Sequence, residues 1–237
     1  MSKFFVDKKA INIDNITITG SDTEHIRKVL RMEKGNKIIL CDKEGTDYNC
    51  IIDKIDKDKV ECSIISSAPS LTEPFVKLTL FQCIPKAGKM EHIIQKAVEL
   101  GAYKIVPVLS HRCVAKGEKK ERWQKISAEA AKQCNRGIIP EVADTVDFKT
   151  AAKMLCENEL SLMPYEAATS GTLSIVKPGI KSVGIIIGPE GGFEESEVTY
   201  LEDLGANIVT LGKRILRTET AGSAVIAIVM NLLNEMC

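Results

Sequence analysis

A change of rhythm near residue 70 constrains this chain more than any other feature. Up to that point apolar residues come in short runs, at 4–6, 16–18, 37–40, 48–55 and 60–65, separated by Gly20, Gly35, Gly45 and Asp/Lys turns, with a single helix over 22–31. Short runs bounded by turn residues read as strands, so the first part is expected to be a small barrel-like β domain. Ser-Ser-Ala-Pro-Ser at 66–70 reads as a polar linker. Beyond it, apolar strands at 77–83, 104–109, 160–163, 183–187 and 208–211 alternate with helices at 89–100, 118–135, 194–204 and 218–235. Met90, Ile93, Ile94, Ala97 and Val98 fall at i, i+3, i+4, i+7 and i+8, one face of a helix that Gly101 stops. Strands that are apolar almost throughout, with helices between them, imply a mostly parallel sheet covered on both faces. The expected organisation is two domains, 1–70 and 71–237, the second of them α/β.

The 237 residues hold 32 Lys+Arg against 32 Asp+Glu, and 8 Cys. No apolar run approaches the roughly 18 residues that a membrane span needs, and the N-terminus lacks a long apolar leader. A soluble, cytoplasmic protein with no membrane partner is expected. The cysteines are scattered with no C-x-x-C pair, which favours small buried hydrophobes over disulfides or metal ligands, and no metal is expected. Whole-chain neutrality argues against a polyanion partner until the charges are counted by segment. Residues 81–136 carry 12 basic against 5 acidic side chains, and residues 137–237 carry 7 against 14. Lys86, Lys89, Arg112, Lys116, Arg122 and Arg136 of the basic segment, with Arg27, Lys28 and Arg31 on the first helix, read as a surface for an extended polyanion. A solvated helix face is the plainer reading of any one cluster alone.

Ile185, Ile186 and Ile187 run into Gly188-Pro189-Glu190-Gly191-Gly192 and then a helix whose first turn holds Glu194, Glu195 and Glu197. This places bare backbone at the carboxyl end of a buried strand, where open α/β sheets bind ligands; a tight strand-to-helix turn is the alternative. The loop is neither a Walker loop nor a G-x-G-x-x-G fingerprint. Its glutamates satisfy the helix start and repel phosphate, so a ligand without phosphates is expected. A second strand end carries Arg214 and Arg217 ahead of Thr218-Glu219-Thr220, residues that suit a helix cap or a second wall of the same pocket. The strand ending in Leu162, Met163 and Tyr165 reaches the same edge.

Gln82-Cys83-Ile84-Pro85-Lys86 with Lys89-Met90-Glu91, the segments 95–101 and 129–136, Ile187-Gly188-Pro189-Glu190-Gly191-Gly192 and the segment 211–221 together resemble the RsmE family of ribosomal RNA small-subunit methyltransferases, in the SPOUT superfamily. The resemblance covers nearly the whole chain, residues 25–31 included. It implies a PUA-like RNA-binding β-barrel over 1–70, a SPOUT α/β methyltransferase domain with a C-terminal trefoil knot over 71–237, and a homodimer formed through the knotted domain. The implied methyl donor is S-adenosylmethionine, and the implied acceptor is N3 of uridine 1498 in the 16S rRNA of the small ribosomal subunit. A donor without phosphates agrees with the glycine loop.

Carried over onto this sequence, the cofactor contacts are expected from Leu162, Met163, Tyr165, Ile187, Gly188, Pro189, Glu190, Gly191, Gly192, Leu211, Gly212, Ile215, Leu216, Thr218, Thr220 and Ala221. Uracil N3 is a weak acid, so the site needs help for the developing uracil anion and an outlet for its proton. Arg217 is the expected stabiliser, with Glu219 or Glu190 as proton acceptor or orienting group. Glu219 reads equally well as a helix-start carboxylate paired with an arginine. RNA is expected on Arg27, Lys28, Arg31, Lys86, Lys89, Arg112, Lys116, Arg122 and Arg136. Two other readings stay open, a non-enzymatic RNA-binding ribosome-assembly factor and a SPOUT enzyme with a different RNA target. A Rossmann-type methyltransferase is disfavoured, because its glycine loop follows the first strand and this one follows a late strand.

Overall fold

A computed structural model describes residues 3–114 and 119–236. The chain divides into two compact units, one running to Glu73 and joined by Ala131–Ile139, the other made of Pro74–Ala130 and the chain from Pro140 onward.

The smaller unit contains β1 (Lys3–Phe5), β2 (Asn15–Thr19), the one-turn helix α1 (Ser21–Glu24) running on as a π-turn over His25–Val29, β3 (Lys37–Cys41), β4 (Thr46–Ile55) and β5 (Lys59–Pro69). They form one sheet in the order β1-β3-β4-β5-β2, parallel only at β1–β3. No β1–β2 ladder closes it among the described residues, so the sheet is an open half-barrel. Strict alternation puts Ile16 and Ile18, Ile38 and Leu40, Cys50 and Ile52, and Val60 and Cys62 on the inner face, where they meet Phe4 and Ile26. Burial pushes the Cys50 thiol up to about 11 and that of Cys62 to about 12, so both stay protonated and apolar.

Two features of this unit depart from the sequence reading. Residues 66–69, read as a linker, extend β5, and Tyr48, Asp47 and Thr46 pair with Ser67, Ala68 and Pro69. Proline is tolerated there because it ends the strand. The second departure is the return of Ala131–Ile139 from far along the chain. Gly137 comes so close to Ser70 that an added Cβ would lie 2.3 Å from the serine Cβ, and the Glu73 carboxylate accepts the Gly137 and Ile138 N–H groups and the Arg136 guanidinium. A single cut after residue 70 does not contain that long-range packing.

The larger unit holds β6 (Lys77–Cys83), α2 (Lys89–Glu99), β7 (Lys104–Leu109), most of α3 (Lys120–Gln133), β8 (Glu141–Val142), β9 (Val146–Asp147), α4 (Phe148–Cys156), β10 (Leu160–Pro164), β11 (Ser182–Ile187), α5 (Glu195–Asp203), β12 (Asn207–Val209) and α6 (Thr218–Leu232). Its sheet has the order β12-β10-β11-β6-β7-β8, with β9 also on β7, and every pairing is parallel. The expected parallel α/β sheet is therefore present. The 118–135 helix reading begins at a position outside the described residues, and α3 is described from Lys120. Helix α4 was not among the expected elements, although its signals are local: the Asp147 side chain caps it by accepting the Thr150 N–H at 2.9 Å, and Phe148, Ala151, Ala152 and Leu155 bury one stripe. The chain enters the sheet at β6, steps out to β7 and β8, and returns on the other side as β10, β11 and β12. The direction of winding reverses between β6 and β11, and α/β sheets open a crevice at the carboxyl ends of the strands beside such a reversal.

Candidate active site

Three strand ends meet at that crevice. β11 is apolar and buried over Val183–Ile187, paired with β6 on one side and β10 on the other. Beyond Ile187 the chain turns sharply, with the Gly192 N–H donating to the Pro189 carbonyl at 3.0 Å and Gly192 at φ +68. The same loop is clamped from outside. Arg112 donates to the Gly191 carbonyl at 2.9 Å, and the Lys86 N–H donates to the Glu190 carboxylate at 3.1 Å. At the start of α5, Glu197 takes the Glu194 N–H on one oxygen at 3.0 Å and the His111 N–H on the other at 2.9 Å, so the expected acidic helix start satisfies itself.

The loop after β12 is built differently. Gly212 sits at φ +104 and donates to the Thr210 hydroxyl at 3.1 Å. The backbone N–H groups of Leu211, Ile215 and Leu216 make no hydrogen bond to any described residue, and Ile215 is 84% exposed. With Pro164, Tyr165 and Glu166 after β10, these loops enclose a cavity of about 410 Å³.

Thr218 joins the walls. Its hydroxyl donates to the Gly188 carbonyl at 2.7 Å and accepts from Gln82 Nε2 at 2.9 Å, and the same Nε2 also reaches the Cys83 carbonyl at 3.0 Å. The ends of β6 and β11 and the start of α6 are thereby locked together through one buried hydroxyl.

The charged groups gather at one side. Lys89, in the first turn of α2, has its ammonium 3.2 Å from Glu190 and 3.3 Å from Glu219. Its pKa is raised, chiefly by Glu190 and then by Glu219 against a desolvation penalty, so it stays an ammonium ion. For Glu190 burial works upward, but its own backbone N–H, the Lys89 ammonium and the Lys86 N–H outweigh it and hold the carboxyl below the usual range. Glu219 is lowered by its own backbone N–H first, against desolvation, and then by Lys89 and Arg217.

Of the expected cofactor residues, the cavity wall contains Tyr165, Ile187, Gly188, Pro189, Glu190, Gly192, Leu211, Gly212, Ile215, Leu216, Thr218 and Ala221, together with Arg217. Leu162 and Met163 are fully buried inside β10 and do not line the cavity. Gly191 faces Arg112, and neither Glu219 nor Thr220 reaches the wall. Glu166, Phe193 and Lys213 line the cavity without having been read as site residues. Phe193 is buried because Gly188 leaves room for its ring, which an added Cβ would approach to 3.0 Å. An aromatic just after a glycine pair is a weak but readable signal for that packing.

The basic residues separate by environment. Lys28 is exposed and paired with Glu24 at 2.7 Å, Arg31 is exposed at φ +50, and Arg27 is half-buried. Lys86 is exposed, and Arg122 pairs with Glu91 at 2.8 Å. Arg112 is spent partly on Gly191, Lys89 stands in the cavity wall, and Lys116 lies outside the described residues. Arg136, expected on the RNA surface, is instead 3% exposed and held 2.6 Å from Glu73, and a buried, paired guanidinium has no face for phosphate.

A sheet of this topology with a backbone-lined crevice at its switch point is matched by the RNA methyltransferase domain family over residues 72–230, and the half-barrel by the RNA methyltransferase PUA domain family over residues 18–65. The ribosomal RNA small subunit methyltransferase E of Bacillus subtilis is 35% identical over 93% of both chains, and that of Aquifex aeolicus is 30% identical over 98% of this chain and 100% of its own. Among solved structures, the Neisseria gonorrhoeae ribosomal RNA small subunit methyltransferase E bound to S-adenosyl methionine superposes with a TM-score of 0.86 at 31% identity, covering 98% of each chain. A putative methyltransferase from Legionella pneumophila with bound SAM gives 0.83 at 29% identity, over 97% of this chain and 96% of its own. The chain belongs to the ribosomal RNA small subunit methyltransferase E family.

No helix among the described residues is long and apolar enough to cross a membrane, and no cluster of three or more His, Cys, Asp or Glu side chains among them is placed to hold a metal ion.

Proposed function

We propose that this protein transfers a methyl group from S-adenosylmethionine to N3 of a uridine in 16S ribosomal RNA, uridine 1498 by resemblance. The observation that carries the reading is the 410 Å³ cavity with backbone walls at the ends of β10, β11 and β12, in a chain of this family. The cavity suits the cofactor. Unpaired N–H groups at Leu211, Ile215 and Leu216 offer donors to an adenine edge, Glu166 and Glu190 offer negative charge to a sulfonium, and the loop after β11 has no lysine placed for a phosphate. When bound, the group supplies an electrophilic methyl carbon.

The protein's own residues supply the rest. The loop over Ile187–Gly192, clamped by Arg112 at Gly191, forms a preorganised wall, and residues 211–216 line the opposite side. Arg217 at the mouth stabilises the negative charge that develops on uracil. Glu190 and Glu219, held ionised below the usual carboxylate range, are weak proton acceptors and act by orienting the Lys89 ammonium. N3 lies on the base-pairing edge, so the target uridine is taken unpaired into the site. Arg27, Lys28 and Arg31 of the smaller unit, and Lys86 and Arg122 of the larger, contact phosphates. By the same family resemblance the C-terminal chain is knotted, the protein works as a homodimer through that domain, and it acts in the cytoplasm.

Isothermal titration with S-adenosylmethionine and nucleoside mass spectrometry of 16S RNA from cells lacking the protein test this reading together. The expected results are binding that Gly212→Val weakens at least tenfold and the loss of N3-methyluridine from the RNA. RNA affinity without cofactor binding overturns it in favour of an assembly factor.

A further inference from the structure

We propose that Lys89 is a catalytic residue that donates to a carbonyl oxygen of the target uracil and stabilises the base in its N3-deprotonated form. The inference rests on the methyltransferase reading above and assigns a role within that site. Methylation at N3 removes one proton and forms one N–C bond. The proton leaves to solvent, the N3 electron pair forms the bond to the methyl carbon, and the electron pair of the broken carbon–sulfur bond stays on sulfur. Before attack, uracil therefore carries a full negative charge shared among N3, O2 and O4, and the site must favour that anion.

Lys89 is placed to do so. Among the described residues it is the one member of the basic 81–136 segment in the cavity wall. An ammonium has three N–H donors, and its two neighbours, Glu190 at 3.2 Å and Glu219 at 3.3 Å, occupy at most two. One donor is left for a group inside the cavity. The carboxylates also fix the ammonium against the mobility of a four-carbon side chain, so little is reorganised when the base arrives. The charges facing this corner are Glu190, Glu219 and the Arg217 beside it, with Glu166, Lys213 and Arg214 elsewhere on the wall. The Lys89, Arg217, Glu190 and Glu219 group is neutral as it stands, and a neutral cluster holding two cations favours an incoming anion only if those cations reach it directly.

The test is Lys89→Met, compared with Lys89→Arg and Glu219→Gln, on 16S RNA substrate. Wild-type failure to bind cofactor or methylate RNA defeats the methyltransferase reading itself, and every other outcome bears on Lys89. For Lys89→Met the expected result is cofactor and RNA affinities within about threefold of wild type, kcat lower by about 100-fold, and a kcat–pH profile whose rise continues to higher pH. Removing the cation makes the anion harder to form, which moves the break upward. Lys89→Arg keeps the break near its wild-type pH. Glu219→Gln removes a competing negative charge and moves the break downward, a readout that survives if the methionine variant fails to fold. The proposal is overturned if Lys89→Met lowers RNA affinity and the salt slope by about 0.7 with kcat unchanged, the signature of a phosphate contact. It is equally overturned if the break stays fixed in all three variants, which would make Lys89 a structural residue only.

Discussion

The two loops that face each other across the cavity are made on opposite plans. The loop after β11 is tied at four points: Arg112 holds Gly191, Lys86 holds Glu190, Thr218 holds Gly188, and Gly192 closes on Pro189. The loop after β12 leaves the N–H groups of Leu211, Ile215 and Leu216, among others, without a partner among the described residues and carries Lys213, Arg214 and Arg217 with an exposed Ile215. Unpaired donors stay favourable only where water or a ligand satisfies them. One wall is thus pinned by side chains from elsewhere in the fold, and the other offers its donors to what it binds. A methyl transfer needs both, a rigid face for alignment and a face whose free donors take up the cofactor.

Three substitutions break or sharpen that contrast. The largest effect is expected at the base of the open loop, where Gly171, at φ +87, receives the Thr210 N–H at 3.0 Å and an added Cβ would lie 2.2 Å from the Ile208 carbonyl oxygen. Gly171→Ala should cost about 2–4 kcal/mol from left-handed strain and overpacking, lowering Tm by roughly 5–15 °C in a thermal melt. An unchanged Tm would mean that the open loop has no fixed base. Thr218→Val removes the hydroxyl that serves both Gly188 and Gln82, at a cost of about 1–3 kcal/mol; calorimetry should show cofactor affinity falling with it, and affinity that held steady would show that the pinned wall needs no pin. The smallest effect is expected for Arg214→Ala on the open wall. Stability should be unchanged, and the dependence of RNA affinity on salt should lose about 0.7 in slope; a loss of stability instead would make the open wall as structural as the pinned one.

The sequence revealed most of the larger unit because its signals are local. Met90, Ile93, Ile94, Ala97 and Val98 fix the buried face of α2 whatever that face packs against, and the run 183–187 is apolar because it is covered on both sides. The half-barrel was equally legible strand by strand, yet its lack of closure and the extension of β5 through Pro69 were not, since pairing depends on a partner elsewhere in the chain. Site residues divide the same way. The glycine loop and the 211–218 segment announced themselves by composition, whereas Glu166 and Phe193 line the cavity only because the fold brings the ends of β10 and β11 together.

Arginine and lysine positions mark the boundary most clearly. Arg136 and Arg217 are the same residue type in comparably polar stretches; the first was expected on the RNA surface and the second beside the reacting uracil. One is sealed beneath Glu73 at 3% exposure, the other stands at the mouth of the cavity. The sequence by itself determined that the chain makes a small β domain and a parallel α/β domain, and that the loop after β11 suits a ligand without phosphates, because periodicity and glycine spacing act over a few residues. Only the tertiary structure decided which charges work together. Lys89, Glu190 and Glu219 come from three separate stretches of chain, and the few ångströms between them are set by the packing of α2, β11 and α6, a long-range result that no local pattern encodes.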